Sequence, residues 1–540
     1  MTGKELILKT FLLEEVERTP WVPFVGIHGA KLIEVPGDKY LQSAELISKG
    51  AARALQLYKP DGLPVTFDLQ IEAEAMGCQL AWSTDNPPAV VSHPLSEGKS
   101  LADLAIPGKK DGRIKMVLEA ARLIRKNHPD IALYGLVTGP FTLALHLMGT
   151  DIFIKMFEDQ AYVAEVLDFT NRVAMAMSGY YLEAGCDVIA VVDPMTSQIG
   201  PDQFSQFIAS PVTVLFEHIR ANGGLGSFFV CGYAQQNIEV MCDCKPDNVS
   251  IDENIPLDYV RDICLERNIS FGGNLKVTVV LLMGKPEDCQ EHALETMEMG
   301  KLKGFILAPG CDLPMATPEE NLAAITQLVH DPYQQDVVRA MEKKDLDLVL
   351  PDMKDYGQAD RVVVDIITLD SESCAPCQYM VEAVKRVVPE FEGIVVWREH
   401  SIKQLDAVTF MSALMVKNLP TICIDGRIVF VSKIPPRHEL IAAIQARINE
   451  KMRMRLKLRK AEVLILGKSK EECRQLEGIL KQAIKELGPG ITYRFIMDEK
   501  EILSFGVVQT PAFIVQEFKV KSQGSEPSVE VVKEWIKELI

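Results

Sequence analysis

Short apolar runs alternate with helix-period segments along the first 345 residues. The runs are PWVPFVGI (20–27), LPVTFD (63–68), IALYGLV (131–137), VIAVVD (188–193), SFFVC (227–231), NVSID (248–252), ISFGGNL (269–275) and FILAPG (305–310). Each is short, apolar and followed by turn residues or a polar stretch, so each predicts a buried strand. The segments between them, such as DGRIKMVLEAARLIRKNHPD and PEENLAAITQLVHD, have helical period. Eight strand–helix repeats predict an α/β fold, a closed (β/α)8 TIM barrel over 1–345. A doubly wound open sheet is the alternative, but no Gly-rich dinucleotide turn follows the first run. The opening MTGKELILKTFLLEEVERTP carries acidic residues inside its apolar pattern and predicts an amphipathic helix, not a signal peptide.

After the barrel the pattern restarts. VVVDIITLD reads as a strand, and SESCAPCQYMVEAVKRVV sets a Cys374-Ala-Pro-Cys377 turn at the start of a helix. The strand GIVVWREH and the hairpin NLPTICIDGRIVFV complete a small α/β domain over 358–450. The basic run KMRMRLKLRK (451–460) predicts a helix extension with a solvated face. A second unit over 460–540 repeats the order: AEVLILGKS, EECRQLEGILKQAIKELG, ITYRFIMD, GVVQTPAFIV. It contains Thr510-Pro511 but no CxxC, and Cys473 is its one nearby thiol.

Composition narrows the function classes. A chain of 540 residues exceeds one core and predicts several domains. A formal net charge of −18 argues against nucleic-acid partners and for a soluble protein. No apolar run approaches the length of a membrane span, so none is expected, and the expected location is cytoplasmic. Twelve scattered cysteines in such a chain point to metal or redox chemistry before a disulfide scaffold.

In a barrel of this kind the site lies at the carboxyl ends of the strands. The residues predicted there are His28, Asp68 with Glu72, Thr138-Gly139-Pro140, Asp193, Cys231, Asp252, Asn274 and Cys311. Two thiols, a histidine and several carboxylates around one mouth suit a metal or acid–base site. Blander readings stand beside this one. A thiol also packs as a small hydrophobe, and Asp193 before Pro194 also reads as a turn residue. Glu72 and Glu74 also read as solvated helix carboxylates, and His28 as a loop hydrogen-bonder. Cys242 and Cys244 (MCDCKP) read as surface thiols. Cys78, Cys186, Cys264, Cys289 and Cys423 read as packing.

The motifs PVTFDLQIEAEAMGCQL, GPFTLALHLMG, VVDP, FFVCG, SIDENIPL, GGNL and APGCDLP, in this order, resemble the uroporphyrinogen decarboxylase superfamily over about 5–335. The nearest branch is the corrinoid-dependent one, the methylcobalamin:coenzyme M methyltransferases. The resemblance implies transfer of a methyl group between a methylcobalamin protein and a small acceptor, with a thiol as one candidate. It also implies zinc, held in that branch by His-x-Cys on the fifth strand and a Cys after the eighth. Those thiols fall on Cys231 and Cys311, but the histidine falls on Phe229. His28, Glu72 or Asp193 is then left to complete the metal site, with Cys242 and Cys244 a further possibility, and His28, Glu72, Asp193 and Asn274 to line the substrate and corrinoid pocket. No D-x-H-x-x-G signature is present, so a partner protein would bring the corrinoid. The decarboxylases proper carry an Arg-rich motif after the first strand, where this chain has VGIHGAKL.

The strand, CxxC helix and Leu-Pro-Thr hairpin of 358–450 resemble a thioredoxin or glutaredoxin domain. That implies Cys374 as the attacking thiol, Cys377 as the resolving one, Pro420 in the cis form beside them, and a thiol redox partner. The 460–540 unit resembles a second such fold without dithiol activity, as in tandem protein disulfide oxidoreductases. The leading expectation is therefore a corrinoid-linked methyltransferase with a fused redox module, which would keep Cys231 and Cys311 reduced or reduce a partner. The alternatives are a thiol–disulfide oxidoreductase whose barrel only binds or docks, and a uroporphyrinogen decarboxylase-like tetrapyrrole enzyme.

Overall fold

In the computed structural model, alternation along residues 132–138 sends Ala132, Tyr134 and Leu136 into one apolar cluster with Val188, Ala190, Val192, Phe229 and Ile306. Side chains two apart share a sheet face, so this cluster is the interior of a curled sheet. The structure describes residues 1–340, 354–357, 361–372, 374–391, 393–457, 462–487, 491–515 and 519–537. The domain boundaries expected at 345, 358 and 460 fall outside them. Two units result, the first built chiefly from Met1–Lys344.

Among the described residues seven parallel strands follow one another in chain order: β1 (Gly62–Pro64), β2 (Ala132–Thr138), β3 (Val188–Val192), β4 (Leu225–Val230), β5 (Asn248–Ile251), β6 (Ser270–Leu275) and β7 (Phe305–Pro309). Helices separate them, so the fold is the expected (β/α) barrel. The first stave differs from the expected strand at 20–27. Trp21 makes a single parallel bridge to Leu307. Val22 N donates to Leu307 O at 3.0 Å, and Asp61 N to Trp21 O at 2.9 Å, which joins β7 to β1. Pro20 and Pro23 have no N–H to give a ladder, so the stave stops at that bridge.

The helix Gly3–Phe11 starts on a capping box made by Thr2 and Glu5. It buries Ile7 and Phe11 in the inner cluster. Lys4 N donates to Asp130 O at 2.8 Å, and its ammonium pairs with Asp187 at 2.7 Å. Asp130 and Asp187 precede β2 and β3, so this helix covers the amino-terminal mouth. The carboxyl-terminal mouth is left for chemistry.

The second unit holds two four-stranded sheets among its described residues. The first has order β9 (Val395–Ser401), β8 (Val362–Thr368), β10 (Thr421–Ile424), β11 (Arg427–Val431). The second has order β13 (Thr492–Ile496), β12 (Glu462–Leu466), β14 (Ala512–Val515), β15 (Lys519–Gln523). In each, the first two strands are parallel and the rest antiparallel. Both have the βαβαββα order of a thioredoxin-like fold. Leu419-Pro420 and Thr510-Pro511 are both cis, each next to a central antiparallel strand.

The basic run departs from the expected solvated face at its first residue, while Met452 and Arg453 are exposed. Helix Arg437–Lys457 does extend into it, but Lys451 is buried and its ammonium lies 2.7 Å from Asp425. Cys242 and Cys244 are a second correction. Both are buried, because the helix Ile238–Asp243 turns that face into the barrel's outer packing. Among the described residues no helix is long and apolar enough to cross a membrane.

Candidate functional site

Two strand ends bring two sulfurs together. Cys231 follows β4 and Cys311 follows Gly310 after β7, and their Sγ atoms lie 3.6 Å apart. Both are half-buried. Cys231 donates to Cys311, and this bond, together with burial, holds its thiol well above the ordinary range.

The loops that carry the sulfurs are pinned by buried polar groups. Gly232 N donates to Asp252 Oδ2 at 2.6 Å. Asn254 adds bonds to Asp252 at 3.0 Å from its backbone and 2.7 Å from its side chain. Asn274, at the end of β6, donates to Ile255 O at 2.9 Å and so ties the same loop. Gly310 must be glycine for lack of space: a Cβ there would lie 2.4 Å from Glu253 Oε2 and 2.9 Å from Glu253 N. Beyond Cys311, Asp312 accepts from Gly26 N at 3.0 Å and fixes the 24–27 turn over the mouth.

Asp252 and Glu253 have their carboxyls pushed above the usual range, first by burial. Glu253 is the residue that the sequence reading missed. It sits in SIDENIPL directly after Asp252, and only the packing of Gly310 against its carboxyl shows that it belongs to the thiol loop.

The other expected pocket residues are engaged elsewhere. His28 is fully buried. Its Nε2 is 2.8 Å from Tyr58 Oη and its Nδ1 is 3.3 Å from Met315 O. Burial pushes its pKa down to about 4, so it is a neutral ring that ties two elements. Glu72 accepts from Thr138 N at 3.1 Å and Thr138 Oγ1 at 2.8 Å. Burial pushes its pKa up to about 7. Glu74 is half-buried and bonds Arg113 at 2.5 Å.

Asp193 accepts from Phe141 N at 3.1 Å, Thr142 N at 2.8 Å and Thr142 Oγ1 at 2.6 Å. It is therefore a cap on the helix Pro140–Met148, supplied from the neighbouring strand end. Gly139 makes room for it, since a Cβ there would lie 2.2 Å from that of Asp193. The GPFT and VVDP motifs are two halves of one cap.

A catalytic zinc ion takes three protein ligands, with Zn–S bonds near 2.3 Å. The sulfur spacing of 3.6 Å suits two thiolates on one such ion. No three His, Cys, Asp or Glu side chains converge among the described residues. Phe229, on the inner face two residues before Cys231, packs edge-on against Phe24 at 5.6 Å and Phe67 at 5.8 Å. Neither His28 nor Glu72 replaces the missing imidazole, since each is committed to the bonds above. The expected zinc set is thus two-thirds present, and the residues here do not complete it.

Cys374 is half-buried directly before the helix Ala375–Val387, and Cys377 is buried within its first turn. A helix N-terminus favours a thiolate.

Residues 461–537 match a thioredoxin domain family. Residues 2–332 match the uroporphyrinogen decarboxylase (URO-D) family. A methylcobamide:CoM methyltransferase, MtaA, of Methanosarcina barkeri is 29% identical over 59% of this chain and 97% of its own length. A second, MtbA, of Methanosarcina acetivorans is 25% identical over 60% of this chain and 97% of its own. A solved methyltransferase from Methanosarcina mazei superposes with a TM-score of 0.57 at 25% identity, covering 63% of this chain and 100% of its own. With a parallel barrel, thiols at two strand ends and a family match over 2–332 of 540 residues, the chain belongs to the uroporphyrinogen decarboxylase family.

Proposed function

We propose that the barrel moves a methyl group between a corrinoid carried by a partner protein and a small thiol. Cys231 and Cys311 mark the reacting centre. The observation that carries this is the sulfur pair itself. Residues eighty positions apart place their Sγ atoms 3.6 Å apart at the mouth where barrels of this type do chemistry. The relatives named as methylcobamide:CoM methyltransferases support the same reaction class.

A methylcorrinoid, when bound, supplies an electrophilic methyl group. The chain's own groups handle the acceptor. Thiols react as thiolates, so the acceptor must lose its proton. Cys231 donates its hydrogen bond to Cys311, which leaves Cys311 as the sulfur that can accept a bond from an incoming thiol. Glu253, beside Gly310 and pushed up to about 8 by burial, can take that proton only in its ionised form, so the step is favoured as pH rises through about 8. Phe24, Phe67 and Phe229 form an apolar floor that excludes water. No step runs through zinc, because the third ligand position is carbon.

A second reading, a thiol–disulfide oxidoreductase whose barrel only docks, is favoured by one observation, the placement of Cys374 and Cys377 at a helix N-terminus. The decarboxylase reading has no arginine cluster behind it where VGIHGAKL stands.

One experiment weighs these. The full chain is given methylcobalamin and 2-mercaptoethanesulfonate, and loss of the methylcobalamin absorbance is followed. Cys311→Ala should slow it about tenfold or more, the equivalent of 1.4 kcal/mol or more of lost transition-state stabilisation. Identical rates would sink the transferase reading. Insulin reduction that persists in Cys311→Ala but vanishes in Cys374→Ser would favour the second reading.

A further inference from the structure

Among the described residues the barrel brings two pairs of cysteine sulfurs together. Cys242 and Cys264 lie with Sγ atoms 3.8 Å apart, buried between the helices Ile238–Asp243 and Leu257–Glu266. Cys231 and Cys311 lie 3.6 Å apart but are half-buried, at the mouth. The distances are alike, and access differs.

We propose that Cys231 and Cys311 form a reversible disulfide across the barrel mouth. The disulfide stands apart from the methyl-transfer reading; only its effect on activity rests on that reading.

The geometry allows it. A disulfide needs sulfurs about 2.05 Å apart, so the pair at 3.6 Å must close by about 1.5 Å. Side-chain rotation and small movements of the loops at Gly232 and Gly310 are the available adjustments. Cys231 Sγ already contacts Cys311 Sγ, with Gly310 O at 3.9 Å. The chemistry favours it too. Where a third metal ligand would lock both thiolates, Phe229 presents carbon.

A small disulfide RSSR is the oxidant. The sulfur of Cys311 attacks one sulfur of RSSR, which forms a mixed disulfide and expels RS⁻. The sulfur of Cys231 then attacks the Cys311 sulfur and expels the second RS⁻. The two thiol protons pass to the two RS⁻ groups. The protein loses two hydrogens, and one RSSR becomes two RSH. Thiol exchange requires an attacker to reach the sulfur, so the buried Cys242–Cys264 pair serves as an internal control.

The test uses the full chain equilibrated in mixtures of reduced and oxidised glutathione, trapped by alkylation and mapped by peptide mass spectrometry. The expected product is one cross-linked peptide pair joining Cys231 to Cys311, lighter by two hydrogens and restored by dithiothreitol. Cys242 and Cys264 should alkylate as thiols, and only after unfolding. In Cys231→Ser, Cys311 should carry a glutathione adduct in place of the cross-link. Separate glutathione adducts on both residues of the native chain would overturn the proposal. So would two untouched thiols in the most oxidising mixture, or a cross-link from either to a different cysteine. Methyl transfer from methylcobalamin, measured across the same mixtures, should fall as the cross-link forms and return on reduction. A cross-link in a protein that shows no methyl transfer even when reduced supports the disulfide and counts against the transferase reading.

Discussion

Glu72 shows at the scale of one residue how burial changes the meaning of a carboxylate. The sequence reading offered it as a pocket group, a metal ligand or a solvated helix side chain. It is 1% exposed and bonded to Thr138, with its pKa raised from 4.5 to about 7 by burial. A carboxyl raised on folding is held in its protonated form by the fold. Its contribution is therefore fully present below the unfolded value of 4.5 and is lost as pH rises through about 7. The loss amounts to about 3 kcal/mol for a shift of that size. In Glu72→Gln the side chain cannot ionise, and its amide can still bond Thr138. Urea unfolding between pH 4.5 and 8 should show stability falling with pH more steeply in the parent chain than in the variant. Parallel profiles would refute the assignment. His28 has the opposite sign: its pKa is depressed to about 4, so its contribution is present above 6.5 and lost as pH falls.

The decisive element is the helix Pro140–Met148. Its N-terminus cannot be capped from within, since Gly139 has no side chain and Pro140 follows. Asp193, from the end of β3, supplies the cap with three accepted bonds. Strand end and helix start are thereby fastened together. Asp193→Ala leaves buried N–H groups without an acceptor and should cost about 2–3 kcal/mol of barrel stability. Asp193→Asn retains one acceptor oxygen and should cost less. Equal stability of Asp193→Ala and the parent in denaturant titration would show that the cap is not needed.

At the scale of the whole molecule, the second unit is joined through a buried charge network. Asp425 accepts from Val363 N at 2.9 Å and Arg447 Nε at 2.7 Å, and pairs with Lys451 at 2.7 Å. Arg447 also donates to Ser504 O, and Arg427 to Leu503 O at 2.9 Å, both in the second thioredoxin-like fold. Removing one member of a buried pair leaves the others uncompensated, typically for about 3–5 kcal/mol. Asp425→Ala should therefore weaken both folds at once. Amide exchange should accelerate together in β8 and β12, and a change confined to β8 would contradict the linkage.

Much of this was readable from residue order, because strand and helix periods, turn residues and CxxC motifs are local signals. Apolar alternation placed the barrel staves, the FFVCG and APGCDLP turns placed Cys231 and Cys311 at strand ends, and the repeated βαβαββα order marked two thioredoxin-like folds. Pro20 and Pro23, which cut the first stave to a bridge, were also visible, though their effect depends on which neighbour needs an N–H. Tertiary structure decided the pairings between distant positions. It set Cys231 against Cys311, Asp193 under Pro140–Met148, His28 against Tyr58, Glu253 against Gly310 and Lys451 against Asp425. The reason is physical. A residue's period and turn preference depend on its neighbours in the chain, whereas a buried polar group takes its meaning from whatever partner the closed fold brings within hydrogen-bond reach.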